Sequence, residues 1–324
     1  MTAATTAGRS ASGNGLRPFD AGRDLSALAD LIEAGFSKSL DRSGRRMVQG
    51  LRMFGRLGWL GGVLSRWILP PAANPQGFVW EENGRVLGNA SLMPVSGYPH
   101  RWVMANVAVF PEQRRRGIGR SLVTASIEHA HKRGAREIVL QVDRDNESAQ
   151  LLYQSLGFSS SPPKTTWVGR ASKATPKEIS GPPVRRRTAS EWHHQWELAR
   201  RLHPEGLVWP YPPDAGFFRP GPWQQRLRLN LDRHWVWFDD ERLLGSISFR
   251  WGLEPGHVRM ILLVEPESQG RIESNLLMVA MRSLHSYGDS IVVDYLSDVA
   301  EASFKKVGFR EKRQLVWMNR TLKS

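Results

Sequence analysis

The stretch Arg114-Arg115-Arg116-Gly117-Ile118-Gly119-Arg120 combines cations and glycines just after an apolar run that Pro111 ends. Helical spacing then sets in at Ile118, Leu122, Ala125, Ile127 and Ala130. Strand, basic glycine loop and helix in that order make a cradle for an anion such as a pyrophosphate. Gly117 and Gly119 let the main chain approach a ligand closely, several N–H groups converge, and the helix adds its positive end. Two better-known phosphate loops are excluded by letter. No Gly-Lys-Ser/Thr follows, and Leu122 stands where the dinucleotide fingerprint needs a third glycine. Downstream, Asp143, Asn146 and Tyr153 offer a carboxylate, an amide and a phenol. With an ordinary pKa of about 10, a phenol keeps its proton at neutral pH and can hand it to a leaving group.

These residues need a scaffold, and the pattern supplies one. Trp102 to Phe110 reads as a strand, Gly117 to Arg133 as a helix and Glu137 to Val142 as a second strand. A second helix carries Leu151, Leu152 and Tyr153 and stops at Gly157. Upstream, Val79-Trp80 and Arg85 to Leu92 flank the polar turn Glu82-Asn83-Gly84, a hairpin signature.

The hairpin returns. Val236-Trp237 and Arg242 to Phe249 flank Asp239-Asp240-Glu241, and Gly88 recurs as Gly245 at an offset of 157 residues. Pro111 recurs as Pro266 at 155, and Gly157-Phe158 as Gly308-Phe309 at 151. Such a drift is what changing loop lengths produce between duplicated domains. The expected organisation is a disordered tail over 1–14, a first domain over 15–170, a Pro- and Gly-bearing linker over 171–183 and a second domain over 184–324. A transit peptide is the alternative for the tail, which has Arg9, several hydroxyls and no acid.

The two signatures, Arg114-x-x-Gly117-x-Gly119 and Asn146 followed by Leu152-Tyr153-Gln154-Ser155-Leu156-Gly157-Phe158, resemble those of the GCN5-related N-acetyltransferase (GNAT) superfamily. The resemblance covers the first domain well and the second in outline. It implies an α/β fold of two tandem GNAT-like domains, each a twisted mixed sheet flanked by helices, with acetyl-CoA as acyl donor and an amine-bearing small molecule or protein as acceptor. By the same resemblance, Val107, Ala108 and Val109 lie on a splayed fourth strand whose main chain pairs with the pantetheine arm and polarises the thioester carbonyl. Arg114, Arg115, Arg116, Gly117, Ile118, Gly119 and Arg120 form the pyrophosphate loop, Asn146 bonds the pantetheine region, and Tyr153 is the general acid. Relatives often carry a Glu as base where this chain has Gln141. Asp143, two residues along and so on the same strand face, is the substitute, with a water relay as the alternative. The tandem layout also resembles the mycothiol synthases, which keep their working site in the other half, so no substrate is carried over.

In the second half the glycine loop is replaced by Ser268-Gln269-Gly270-Arg271-Ile272-Glu273-Ser274, and Tyr153 by Phe304. A carboxylate there opposes phosphate, so this half reads as a degenerate copy without turnover. Two segments are candidates for shaping an acceptor pocket. Asp41 to Leu69 holds a basic amphipathic helix with Met47, Leu51 and Phe54 on one face and Arg45, Arg52 and Arg56 on the other, readable as a lid or as a half-buried helix. Glu205 to Trp223 is rich in aromatics and reads as packing between the domains or as an aromatic wall.

Length and composition agree. A chain of 324 residues suggests two domains, and 40% hydrophobic with 23% charged residues is ordinary for folded protein. Zero Cys excludes disulfides, thiolate metal sites and a cysteine nucleophile, and leaves a cytoplasmic protein as the expectation. His129 with His131, and His193 with His194, lack one-face metal spacing. The formal charge of +14 attracts anions. It keeps open two rivals to an enzyme, an acyl-CoA-binding sensor and a binder of nucleic acid or anionic membrane.

Overall fold

The computed structural model describes residues 14–36, 42–58, 76–170, 184–220, 233–251, 257–283 and 290–322. The expectations for residues 1–13, for the 171–183 linker and for Trp223 lie outside them, as does the end of the basic segment beyond residue 58. In chain order the first half contains β1 (Gly15–Pro18), α1 (Ala21–Phe36), α2 (Arg42–Arg56), β2 (Gln76–Glu82), β3 (Arg85–Val95), β4 (Tyr98–Val109), α3 (Ile118–Lys132), β5 (Glu137–Asp143) and α4 (Glu147–Ser155). Then follow β6 (Ser159–Ser160), β7 (Lys164–Arg170), β8 (Arg185–Arg186), α5 (Trp192–Leu202), β9 (Arg233–Asp239), β10 (Arg242–Trp251) and β11 (His257–Val264). The chain closes with α6 (Glu273–Ser283), β12 (Ser290–Leu296), α7 (Glu301–Lys306) and β13 (Arg310–Thr321). The fold class is the expected one, α/β with mixed sheets and flanking helices.

The chain divides into two compact units. One takes the residues up to Leu140, Ser148–Ser159 and Met318 onward; the other takes Gln141–Glu147 and Ser160–Trp317. The division therefore does not follow the linker. β7, placed by the sequence reading in the first domain, belongs to the second unit, where it pairs antiparallel with β12 and with the first half of β13. Nothing in its apolar and hydroxyl-rich pattern names a partner, because strand pairing is set by register and neighbours that lie far away in sequence.

In the first unit β1, β2, β3 and β4 pair antiparallel in that order, and β5 joins β4 in parallel. Asn83 and Gly84, both at positive φ, close the β2–β3 hairpin. Successive side chains on β2 serve opposite layers. Phe78 and Trp80 pack with Ala90, Ile118 and Leu122 under α3, while Val79 packs with Val86, Ala108 and Leu31 under α1. At Gly88 a Cβ would stand 3.0 Å from Leu122 and 3.1 Å from Ile118, so a larger residue there would make those side chains give way. Arg17 ties β1 to Asp24 of α1 at 2.7 Å and to Glu81 of β2 at 2.5 Å.

The basic helix α2 packs on α1 through Val48, Leu51 and Phe54, and Arg52 pairs with Asp30 and Glu33 at 2.7 and 2.5 Å. Met47, expected on the apolar face, is 39% exposed, and Val48 takes its place. The half-buried reading of this helix therefore describes its packing, with Arg52 serving α1 rather than solvent.

The second unit repeats the plan. β8, β9, β10 and β11 pair antiparallel, β12 joins β11 in parallel, and β7 and β13 extend the sheet beyond β12. Gly245 repeats the close approach of Gly88: a Cβ there would stand 2.9 Å from both Ile272 and Leu276 of α6. Phe217 and Phe218, expected between the domains, enter this unit's own core with Leu198, Val236 and Ile261. Phe304 stacks on Trp167 at 4.8 Å.

Burial in this unit also makes a pH prediction. His234, in contact with Ser248 Oγ at 2.7 Å, has its pKa pushed down to about 3 by desolvation, with Arg187 adding repulsion. Its unfolded value is about 6.5, so only the unfolded chain takes up the proton between those values. The stabilisation is complete above about pH 6.5 and is lost progressively as pH falls towards 3. Thermal unfolding at pH 7.5, 6 and 5 is expected to show a falling Tm, with a shallower fall in His234→Gln.

Candidate active site

The seat of α3 on Gly88 sets where the loop and the start of that helix lie. β4 reaches the candidate site with a defect. From Gly88 to Ser91 is three steps on β3, but their partners Val109 and Ala105 are four steps apart on β4. The extra residue is a β-bulge, and Asn106 within it stands at φ 51°. The parallel ladder to β5 runs from Arg101–Glu137 to Val103–Val139 and stops there. The half of β4 that holds Val107, Ala108 and Val109 thus lies beyond the part that pairs with β5. Ala108 is buried, and Val107 and Val109 are half-buried.

A short helical turn, Pro111–Gln113, leads from β4 into the loop. Arg114 Nε donates to the Val109 carbonyl at 3.2 Å, Arg115 stands at φ 62° and Gly117 at φ 79°. Gly117 caps α3, and its carbonyl accepts the Ser121 N–H at 3.0 Å. The N–H groups of Ile118, Gly119 and Arg120 thus begin the helix, where no residue of the preceding turn can accept from them. A Cβ on Gly117 would meet nothing within 4 Å, so that glycine answers to backbone conformation and leaves the space beside it open. Arg114, Arg115, Arg116 and Arg120 are all exposed. Arg116 bonds both oxygens of Glu82 at 2.8 and 3.0 Å; Trp80 and Arg116 together hold the Glu82 carboxyl below its usual range. Arg120 bonds Ser155 Oγ at 2.8 Å, tying α3 to α4.

Tyr153 lies on α4, one residue from Leu152, whose side chain borders the Gly119 Cα. Its ring is 6% exposed and meets Phe158 edge-on at 5.7 Å. Desolvation pushes the phenol pKa up, so the group stays protonated throughout the working range of a protein. The Phe158 N–H returns to the Tyr153 carbonyl at 3.1 Å, with Gly157 at φ 81° closing the helix. Asp143 and Asn146 belong to the short segment grouped with the second unit. There the Asn146 N–H donates to the Asp143 carbonyl at 3.0 Å, Asp143 being half-buried and Asn146 exposed. The loop, Val107 to Val109 and Tyr153 thus share one unit, while Asp143 and Asn146 fall in the other.

The second unit shows the same frame with a carboxylate beside its helix start. Ile272 and Leu276 touch Gly245 as Ile118 and Leu122 touch the site of Gly88, so Glu273 takes the place of Gly119. It is fully buried. Its carboxylate accepts the Gly270 N–H at 2.9 Å and the Tyr295 hydroxyl at 2.8 Å. β11 carries no bulge: Gly245 to Ser248 and Val264 to Ile261 are three steps each. The sequence reading noted Glu273 but missed the bulge, Asn89 beneath it and the Arg120–Ser155 tie. The bulge does leave a trace, since the repeat offset falls from 157 at Gly88 to 155 at Pro111.

Residues 57–158 match the Acetyltransferase (GNAT) family, a span that contains β2 to α4 and the whole loop. The match supports the GNAT superfamily for this stretch of the chain. Its GNAT stretch has curated relatives: it is similar to the mycothiol acetyltransferase of Kocuria rhizophila, 33% identical over 150 residues that cover 44% of this chain and 45% of that protein. It is also similar to the ribosomal protein bS18-alanine N-acetyltransferase of Escherichia coli, 43% identical over 54 residues that cover 17% of this chain and 36% of that one. The chain therefore spans less than half the length of the curated relatives it matches. A GCN5-related N-acetyltransferase from Sphaerobacter thermophilus shares the fold over 95% of this chain and 96% of its own, with a TM-score of 0.53 at 17% identity.

The contrast between the GNAT loop and its carboxylate-bearing counterpart can be tested by exchange. A Cβ at Gly119 would sit 3.5 Å from Leu152, an ordinary contact, so Gly119→Glu is expected to fold. Its carboxylate competes for the N–H groups at the start of α3. Calorimetric titration with CoA is expected to show at least about tenfold weaker binding, with Tm within a few degrees of the parent.

Proposed function

We propose that the first unit is an acetyl-CoA-dependent N-acetyltransferase that moves the acetyl group to a primary amine by direct attack, and that the second unit does not turn over. The observation that carries this reading is the conjunction, in one unit, of the open nest at α3, the bulged end of β4 and the buried phenol of Tyr153. The loop residues Arg114 to Arg120 fit a pyrophosphate: N–H donors begin the helix, a left-handed glycine leaves room, and four exposed arginines lie on the loop and the first turn of the helix.

In this reading the N–H groups at the start of α3 and the loop arginines hold the diphosphate, and Asn146 bonds the pantetheine arm. The main chain of Val107 to Val109 orients the thioester and stabilises the negative charge that grows on its carbonyl oxygen during attack. The amine nitrogen forms the new C–N bond as the C–S bond breaks. Tyr153 gives its proton to the leaving sulfur, and the proton lost by nitrogen goes to Asp143 or to water. No covalent enzyme intermediate is needed, in keeping with a chain that has no Cys.

The acceptor is a primary amine, carried by a small molecule or by a protein. The ribosomal-protein relative supports a protein amine, and the mycothiol acetyltransferase supports a small one. The cytoplasm is the expected compartment; no described helix is long and apolar enough to cross a membrane. The rivals, a sensor that binds acyl-CoA without turnover and a binder of anionic surfaces, leave the buried phenol without a task.

CoA thiol release from acetyl-CoA across a panel of amines tests the reading, and the protein contributes no thiol of its own. Release that depends on one amine class is expected, with Tyr153→Phe lowering kcat at least about tenfold. Because burial raises the phenol pKa, Tyr153 should contribute no alkaline loss of rate below about pH 10. Binding without release under any amine would favour the sensor; full activity in Tyr153→Phe would remove the phenol from the mechanism.

A further inference from the structure

The bulge in β4 has a support that the loop and helix do not provide. Asn89 of β3 is fully buried. Its amide nitrogen donates to the Asn106 carbonyl at 2.9 Å and to Ser91 Oγ at 3.0 Å. The Asn106 amide nitrogen lies 3.5 Å from the same Ser91 hydroxyl. Asn106 is the left-handed residue of the bulge, and a bulge turns a carbonyl out of the ladder that would otherwise pair it. Asn89 supplies the missing donor. That contact also fixes which way the amide points, since a flipped amide would set oxygen against the Asn106 carbonyl oxygen. The consequence is a buried Oδ1 with no hydrogen-bond partner, a cost that any smaller apolar residue would avoid.

The second unit provides the comparison. Ser246 follows Gly245 as Asn89 follows Gly88, and its partner on the next strand is Leu263, as that of Asn89 is Ala108. A serine side chain ends one atom beyond Cβ and cannot reach around to a displaced carbonyl. Where the amide stands, the neighbouring strand has its extra residue; where serine stands, it has none.

We propose that Asn89 is a positioning residue for the acyl group: it holds Asn106 in the bulged conformation and thereby sets the direction of the main chain at Val107 and Ala108. The inference rests on the acetyltransferase reading, because only there does that main chain meet a thioester carbonyl. Asn89 acts through Asn106 and touches no reacting atom. Its effect therefore falls on the acetyl end of the ligand and spares the diphosphate end held by the loop.

The test uses the full chain with two probes, CoA and acetyl-CoA labelled with carbon-13 at the carbonyl. Calorimetry gives the two affinities, and isotope-edited infrared spectroscopy gives the carbonyl stretch of the bound thioester. In the parent protein the stretch is expected at lower frequency than in solution. In Asn89→Ser the band is expected to return towards its solution position, and acetyl-CoA binding to weaken by about tenfold while CoA binding stays within about twofold. Ser91→Ala, which removes the shared hydroxyl, is expected to move both readouts the same way by less, and it decides the matter if Asn89→Ser does not fold. An unmoved band with an unchanged ratio of the two affinities overturns the role of Asn89 and leaves the acetyltransferase reading standing. Equal weakening of both ligands with a lowered Tm makes Asn89 a purely structural residue and overturns it too. A parent protein that binds neither probe removes the acetyltransferase reading and this inference with it.

Discussion

The molecule depends on a helix seated closely on a strand over a glycine. At Gly88 the hydrogen in place of a Cβ lets Ile118 and Leu122 rest on β3, and at Gly245 Ile272 and Leu276 do the same on β10. Close-packed interiors transmit such a constraint without slack. With α3 seated there, its first turn points where the loop leaves β4, and Arg120 reaches Ser155 on α4. The arrangement of strand end, helix start and buried phenol follows from that one contact. A methyl group at residue 88 would lift the helix and carry the whole edge of the site with it.

The two units share this contact and differ in what is built on it. In the first, the extra residue of β4 and the glycine at 119 leave main-chain groups directed outward. In the second, β11 keeps an even register and Glu273 turns its own carboxylate onto the Gly270 N–H just before α6. The divergence is therefore not a loss of fold. Both units keep their hairpin, their parallel strand pair and the Gly-Phe exit from the last helix, where the Phe158 and Phe309 N–H groups return to the carbonyls of Tyr153 and Phe304.

Much of this was legible in the sequence because it rests on local rules. The Asn83-Gly84 turn, the glycine loop and the helix stop at Gly157 each need a backbone conformation that few residues supply, so the letters announce them. The duplication was legible because Gly88 and Gly245 meet one steric demand twice. What stayed hidden depends on partners distant in the chain. β7 carries no mark of the strands it joins, and Met47 and Val48 sit side by side on a helix where a small rotation decides which is buried. The bulge at Asn106 shows only as a fall in the repeat offset, which does not say where on the strand the extra residue sits. Asn89 reads as an ordinary strand residue until the carbonyl it serves is known. The aromatic segment around Phe217 and Phe218 reads as packing between the domains, yet it fills the second unit's own core, because composition does not say which core an aromatic run enters.

Glu273 gives the duplicated frame an asymmetry of another kind. A buried carboxylate beside the start of α6 brings negative charge to that helix end as part of the fold, whereas at the matching place on α3 stands a glycine without a side chain. The second unit therefore holds a charge at its helix start as part of its own core. The first leaves that place to Gly119. Duplication has thus kept one architecture and changed the charge carried at a single helix end.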